Sequence, residues 1–174
     1  LITGIGQGFL LATPLQLAVM TASLANGGFI VQPRLMRATQ PAEPISIGLD
    51  PQDLARVNRA MYKVVNRPTG TAYDSSLLIN GNRMNGKTGT VQVRRISKDE
   101  RESGVISNKE LDWHLRDHSL FVGYAPHKNP RYAISIVIEH GGGGAYVAAP
   151  IARDIMVELL RNESLMRAKD EEVS

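Results

Sequence analysis

A lysine, two threonines and a glycine stand together at Lys87-Thr88-Gly89-Thr90, at the head of an alternating β-branched run. An ammonium group, hydroxyls and a residue without a side chain on the rim of a strand could bind a carboxylate and stabilise a developing oxyanion. The window 81–88 also matches the P-loop pattern G-x-x-x-x-G-K-[ST], which would instead cradle phosphates. The same residues therefore offer either a wall of an acyl-transfer site or a nucleotide-binding loop.

The residues after Lys87 favour the acyl-transfer wall. A P-loop needs a helix directly after its lysine, because the N–H groups of the helix N-terminus hold the phosphates. Here a glycine and alternating β-branched residues follow, which is typical of a strand. A P-loop nucleotidase stays an alternative that this strand character opposes.

The composition indicates one ordinary globular domain. The 174 residues are 43% hydrophobic and 21% charged, with a net charge of +3. Dispersed lysines and arginines with only 5% aromatic residues do not indicate nucleic-acid binding. Without cysteine, neither a disulfide nor a thiolate nucleophile is available. No apolar run could span a bilayer and no signal peptide opens the chain; since it starts at Leu1, we expect a fragment or a processed chain.

Capping signals predict two helices in the first half of the chain. Thr13-Pro14-Leu15-Gln16 and Asp50-Pro51-Gln52 each combine a capping side chain with a proline at the first helical position. The first helix should end at Asn26-Gly27-Gly28 and the second in the turn 66–70. The predicted buried faces are Leu15, Ala18, Val19, Ala22 and Ala25 in the first helix, and Leu54, Val57, Met61 and Val64 in the second.

The second half of the chain predicts a sheet and a last helix. We expect strands at 84–93, 118–124 and 132–139, the last two joined as a hairpin. We expect a short strand at 29–32, a loop at 37–48, a short helix within 72–79, an exposed loop with a short helix at 94–116, and a flexible link at 141–144. The last helix should span about 147–161 and bury Ala148, Ile151, Ala152, Ile155 and Leu159, followed by a charged, frayed tail at 162–174. The predicted fold class is α+β, an antiparallel sheet flanked by helices.

Several landmarks together resemble one enzyme family. A lysine on an edge strand commonly protects a sheet against aggregation, so the K-T-G triplet alone does not identify a family. Further matching segments support it: Gly4-Ile5-Gly6-Gln7-Gly8, the segments 12–18 and 66–72, the segment 115–126 and the glycine run after Glu139. On these residues the chain resembles the class B penicillin-binding proteins, most closely the elongation-type peptidoglycan D,D-transpeptidases of the penicillin-binding protein 2 group. Residues 1–161 would then form the C-terminal part of a β-lactamase/transpeptidase-like domain.

The resemblance implies a serine acyl-enzyme chemistry that builds the cell wall, maintains cell shape and is blocked by β-lactams. It makes Lys87 the cation of K-T-G and the Thr90 N–H an oxyanion donor, with Lys87, Thr88, Gly89, Thr90 and Gln92 facing the substrate. It implies no cofactor and no metal. Its partners would be the peptidoglycan stem peptide, β-lactams and a membrane glycan polymerase of the elongation machinery. The parent protein would work at the periplasmic face of the bacterial inner membrane, anchored by a helix outside this chain.

One departure from the family pattern concerns the nucleophile. No serine of this chain has lysine three positions later, so S-x-x-K and S-x-N are expected upstream of Leu1. The isolated chain should therefore be inactive. A catalytically dead peptidoglycan- or partner-binding module of the same fold is the alternative.

Two further features of the sequence carry expectations of their own. His114, His118 and His140 do not fit H-E-x-x-H, because Leu115 stands where the glutamate would be, and we expect ordinary histidines. The strand at 132–139 should have an unpaired apolar edge that is prone to pair with another strand.

Overall fold

Three antiparallel strands form the sheet of the protein, which a computed structural model describes over residues 11–36, 43–94 and 96–172, with side chains to residue 163. The strands are β1 (Asn85–Val91), β2 (His118–Ala125) and β3 (Tyr132–Ile138), in the spatial order β1-β2-β3. The central strand β2 pairs with both neighbours, so that Phe121 lies between Thr88 and Ile136. The predicted antiparallel sheet is confirmed.

The described residues also form four α-helices and two short 3-10 turns. The helices are α1 (Pro14–Ala25), α2 (Pro51–Asn66), α3 (Lys98–Ser103) and α4 (Ala148–Glu172). The 3-10 turns are Tyr73–Ser75, within the predicted helical segment, and Trp113–Leu115.

The helix starts confirm the capping signals. The Thr13 side chain accepts from the Gln16 N–H at 3.2 Å, and the Gln16 side chain accepts from the Thr13 N–H at 2.8 Å. At α2, the Asp50 carboxylate accepts from the Gln52 N–H at 2.7 Å. Each cap satisfies an N–H group that would otherwise have no intrahelical partner, so both helices begin where predicted.

Helices cover both faces of the sheet. The Ser119 hydroxyl of β2 accepts from the Ala148 N–H at the start of α4, whereas the Tyr124 hydroxyl donates to Asn58 of α2. Successive strand residues point to opposite faces, so α4 and α2 lie on opposite sides of β2. The Asn58 side chain also donates to the carbonyl of Leu24, which joins α1 to α2.

The main hydrophobic core joins α4 to the sheet and to the C-terminal end of α2. Its buried members come from both halves of the chain and include Phe121, whose side chain is fully buried. They are Val65, Ala72, Leu77, Met84, Phe121, Ala125, Ala148, Ala149, Ala152, Met156 and Leu160.

The predicted buried face of α1 is wrong at Leu15, which is 59% exposed. The buried residues of α1 are instead Thr21 and Ser23, whose hydroxyls donate to backbone carbonyls of the preceding turn. Since α1 is apolar around most of its circumference, hydrophobic periodicity does not select one face of it.

The predicted buried faces of α2 and α4 are each wrong in part. In α2, Leu54 and Met61 are buried as predicted, but Val57 is 41% exposed and Val65 is buried instead. In α4, Ala148 and Ala152 are buried as predicted, whereas the branched residues are exposed by 36–40%. Those exposed residues are Ile151, Ile155 and Leu159, and the buried positions beside the alanines are Met156 and Leu160. Small residues at 148, 149 and 152 allow α4 to approach the sheet, and that approach decides which face is inside.

Several segment boundaries differ from the predictions. The helix α4 continues to Glu172 instead of ending near Arg161, while a separate unit at 162–174 stays a prediction. The strand predicted at 29–32 is reduced to one bridge between Phe29 and Ser46. The landmark at 4–8 and residues 37–42 of the predicted loop lie outside the described residues.

Candidate active site

The K-T-G residues lie in β1, on the edge of the described sheet that β2 leaves free. The strand predicted after Lys87 is confirmed, so the helix that a P-loop requires at this point is missing from the described chain. Lys87 and Thr90 are exposed, and Thr88 and Gly89 are half-buried. Gln92 is exposed and follows the end of the strand.

Lys87 and Thr88 meet at this edge. The Lys87 ammonium donates to the carbonyl oxygen of Thr88 at 2.7 Å. The Thr88 hydroxyl lies 3.1 Å from the hydroxyl of Thr71, which comes from the turn after α2. A cation and two hydroxyl groups are therefore gathered on one stretch of strand edge, which suits a carboxylate ligand.

A buried polar network fixes the start of β1. The Asn85 amide donates to the carbonyl of Asn58 at 3.0 Å and to the Tyr124 hydroxyl at 2.6 Å. The Tyr124 hydroxyl donates in turn to the Asn58 side chain at 2.9 Å. Burial raises the pKa of Tyr124, against a smaller lowering by the Asn85 hydrogen bond, so its hydroxyl stays protonated as a donor. The motif is thereby tied to α2 immediately before Lys87.

Gly86, which the P-loop pattern would place next to a phosphate, has a packing role instead. A Cβ at Gly86 would lie 2.1 Å from the ring of Phe121, the buried residue at the centre of β2. The glycine before Lys87 is therefore required by the ring that crosses it, with no need for a phosphate.

The glycine run after β3 packs against the motif, which corrects the prediction of a flexible link at 141–144. A Cβ on Gly144 would lie 2.3 Å from the carbonyl oxygens of both Gly89 and Leu120. The Gly144 N–H also points at the Thr90 hydroxyl over a long 3.5 Å contact. The backbone of the run thus lies directly against the K-T-G strand at Gly89.

The Ser119 hydroxyl fastens the glycine run to the sheet. It donates to the carbonyl of Gly143 at 3.2 Å and accepts from the Ala148 N–H at 3.1 Å. Ser119 is fully buried and lies opposite Thr90 in the strand register. One side chain therefore holds the run, the start of α4 and the strand next to the motif together.

The segment that leaves β1 is folded back by an ion pair and by an asparagine. The Arg94 guanidinium donates two hydrogen bonds to Glu100 of α3, one of them at 2.7 Å. These bonds lower the pKa of Glu100 to about 2, against the opposing effect of burial. Further along, Asn108 both accepts from the Asp117 N–H and donates to the Asp117 carboxylate. The short helix predicted in this segment is confirmed as α3.

His118 and His140 contact each other through one hydrogen bond and an edge-to-face ring contact. The His118 ring nitrogen Nδ1 accepts from the His140 N–H at 2.9 Å, and the two rings lie edge to face. The Trp113 ring packs on His140 with a centroid distance of 4.5 Å. Among the described residues, no group of three potential metal ligands converges.

Three residues that contribute to this site are not predicted from the sequence. Thr71 lies in a turn that the sequence marks only as a family landmark, Gly144 belongs to the predicted link, and nothing in the sequence distinguishes Asn85. The glycine run was the one available signal, since four consecutive glycines indicate a close approach of backbone as well as flexibility.

Comparison with known proteins agrees on one family. The model of the penicillin-binding protein transpeptidase domain matches residues 1–157. The peptidoglycan D,D-transpeptidase MrdA of Haemophilus influenzae is 38% identical over 163 residues, which cover 88% of this chain and 24% of the relative.

Two solved structures share the fold. Pseudomonas aeruginosa PBP2 in complex with WCK 5153 is 39% identical with a TM-score of 0.69, over 89% of this chain and 31% of that one. Helicobacter pylori PBP2 in its complex with MreC is 31% identical with a TM-score of 0.73, over 92% of this chain and 27% of that one. The chain spans about a quarter of the length of the curated relatives it matches. No helix within the described residues has the length and apolar character needed to cross a membrane.

Proposed function

The chain belongs to the penicillin-binding protein transpeptidase family, and we propose that it forms the K-T-G-bearing part of a peptidoglycan D,D-transpeptidase. The observation that carries this proposal is the placement of Lys87, Thr88, Gly89 and Thr90 on an exposed strand edge within that fold. The substrate would be a stem peptide that ends in D-alanyl-D-alanine.

The reaction would proceed through an ester on a serine supplied by a segment outside residues 1–174. The serine oxygen attacks the carbonyl of the penultimate D-alanine, the peptide bond breaks, and the terminal D-alanine leaves with a proton on its amine. The amine of a second stem peptide then attacks the ester, which forms the cross-link and restores the serine hydroxyl. A β-lactam would form the same ester by opening its ring.

Each residue of the motif would have a separate role. The Lys87 ammonium and the Thr88 and Thr90 hydroxyls attract the terminal carboxylate of the substrate. Gly89 leaves room for the substrate backbone to lie along β1 as an added strand. Gln92 would contact the substrate beyond the end of the strand.

The Thr90 N–H would serve as an oxyanion donor. In a strand, the backbone N–H and C=O groups of residues two positions apart point in the same direction, so the Thr90 N–H points the same way as the Thr88 carbonyl. The Lys87 ammonium donates to the Thr88 carbonyl, which supports an orientation of this carbonyl towards the open edge of β1. A well-aimed oxyanion donor contributes on the order of 100- to 1000-fold in rate.

We place the parent protein at the periplasmic face of the bacterial inner membrane. A membrane glycan polymerase of the elongation machinery would be its partner, since this reaction joins glycan strands that such an enzyme makes. The solved complex of the similar Helicobacter pylori PBP2 with MreC supports assembly of the parent protein with a partner protein.

Labelling with a fluorescent penicillin tests the proposal. We expect the longer protein that contains this chain to form a covalent adduct, and residues 1–174 alone to form none. Failure of the longer protein to label would favour the catalytically dead binding module. A stoichiometric adduct on residues 1–174, detected by mass spectrometry, would contradict the assignment of the nucleophile to another segment.

A further inference from the structure

The turn after α2 places a hydroxyl group against the middle residue of K-T-G. The Thr71 and Thr88 hydroxyl oxygens are 3.1 Å apart, although 17 positions separate the two residues. Thr71 is exposed, so no packing requirement explains why its side chain lies there. Burial of Thr71 therefore does not explain the contact between the two hydroxyl groups.

The backbone around Thr71 is held tightly to the end of α2. The Ala72 N–H donates to the Val64 carbonyl at 3.0 Å, and the Gly70 N–H donates to the Arg67 carbonyl at 2.8 Å. A Cβ on Gly70 would lie 2.3 Å from the Val64 oxygen, so the turn touches the helix without a gap. Ala72 is only 2% exposed. The backbone of Thr71 is thus held in place by hydrogen bonds of the neighbouring residues Gly70 and Ala72.

The partner of Thr71 is held by the same helix. The Asn66 side chain, at the end of α2, donates to the Met84 carbonyl at 2.7 Å, just before β1 begins. One residue later, the Asn85 side chain donates to the carbonyl of Asn58 in the middle of α2. The helix α2 therefore holds both the turn that carries Thr71 and the start of the strand that carries Thr88. These backbone contacts fix the distance between the two hydroxyl groups.

We infer that Thr71 is a positioning residue for the acyl transfer, whose hydroxyl fixes the side-chain rotamer of Thr88. This inference rests on the proposed function. If Thr71 donates to the Thr88 oxygen, the Thr88 proton is left to donate to the carboxylate of the substrate or of a penicillin. Without Thr71, the Thr88 side chain can rotate among its staggered positions and present its methyl group instead. Thr71 therefore belongs to the wall that recognises the carboxylate, although it acts through Thr88.

The test compares two substitutions of Thr71 in the longer protein that carries the serine. Thr71→Val keeps the shape and removes the hydroxyl, whereas Thr71→Ser keeps the hydroxyl. We expect Thr71→Val to lower the rate constant of acylation by a fluorescent penicillin by about threefold to tenfold, the value of one hydrogen bond. Thr71→Ser should stay within about twofold of the unaltered protein, because its hydroxyl can make the same contact.

A double-mutant cycle separates positioning from direct contact. If Thr71 acts through Thr88, Thr71→Val should change the rate by less than about twofold in a protein that already carries Thr88→Val. The full loss in that background would overturn the inference. Rates for Thr71→Ser as low as those for Thr71→Val would overturn it too, as would unchanged rates for Thr71→Val.

Two controls keep the outcomes distinct. Melting temperatures of Thr71→Val and Thr71→Ser should agree with that of the unaltered protein, and a lower value for Thr71→Val alone would assign the loss to folding and overturn the inference. If the unaltered longer protein is not acylated, the proposed function itself fails, and the inference fails with it.

Discussion

Replacing Gly144 by alanine should disturb the K-T-G strand from behind. A Cβ at this position would lie 2.3 Å from the Gly89 oxygen, 2.3 Å from the Leu120 oxygen and 3.0 Å from the Gly89 nitrogen. All three atoms belong to the backbone of the β1–β2 ladder, so no side chain can rotate away to make room. Gly143 provides the matched control, since a Cβ there would meet only the Tyr146 ring, at 3.3 Å, and that residue is 83% exposed.

The size of the effect follows from these contacts. To reach ordinary van der Waals distance, the glycine run and the strand must separate by about 1 Å, and such overpacking typically costs about 1–3 kcal/mol. Alanine offsets part of this by about 0.4–1 kcal/mol, because it restricts the unfolded chain. We expect Gly144→Ala to destabilise the fold by about 1–2 kcal/mol. Gly143→Ala should change stability by less than about 1 kcal/mol.

Urea denaturation followed by circular dichroism measures this difference through the shift of the midpoint at constant slope. Amide NMR spectra add the location, since the shifts of Gly89 and Thr90 should change in Gly144→Ala and stay in place in Gly143→Ala. Equal stabilities for the two variants, or unchanged Gly89 and Thr90 amides in Gly144→Ala, would refute the packing of the run against the motif.

Three further predictions concern the network, the ion pair and the sheet edge. Tyr124→Phe should destabilise the fold by about 1–3 kcal/mol, because the side chains of the buried Asn85 and the half-buried Asn58 each lose a hydrogen bond, whereas Tyr146→Phe at the surface should have no effect on the denaturation midpoint. Folding lowers the pKa of Glu100 from 4.5 to about 2, so its contribution to stability is complete above pH 4.5 and is lost as the pH falls towards 2. The stability advantage of the unaltered chain over Glu100→Gln should shrink over that range, and a constant difference in acid denaturation curves would contradict the pairing with Arg94. Among the described residues no strand pairs with the outer edge of β3, which should cause residues 1–174 to self-associate at high concentration, and a monodisperse monomer in light scattering would argue against it.

Local sequence signals predicted the starts of α1 and α2 better than the buried faces of the helices. The caps at Thr13 and Asp50 were predictable because each involves residues within one helical turn. The buried side of α4 was not, because Ile151 and Met156 are both apolar and only the position of the sheet distinguishes them. The strand character after Lys87 was predictable from β-branched residues, and it separated the two interpretations of the glycine–lysine pattern.

The sequence by itself determined the helix starts, the strand that carries Lys87-Thr88-Gly89-Thr90 and the family resemblance of the motif. Only the tertiary structure decided which distant groups surround that strand: the Thr71 hydroxyl at its edge, Gly144 against its backbone and the Asn58 network at its start. The physical reason is the distance along the sequence between the residues that interact. Caps and strand propensity depend on neighbours a few residues away, whereas a hydroxyl pair or a backbone contact between segments depends on how whole helices and strands pack. The sequence therefore identifies the motif, whereas the tertiary structure identifies the groups that position it.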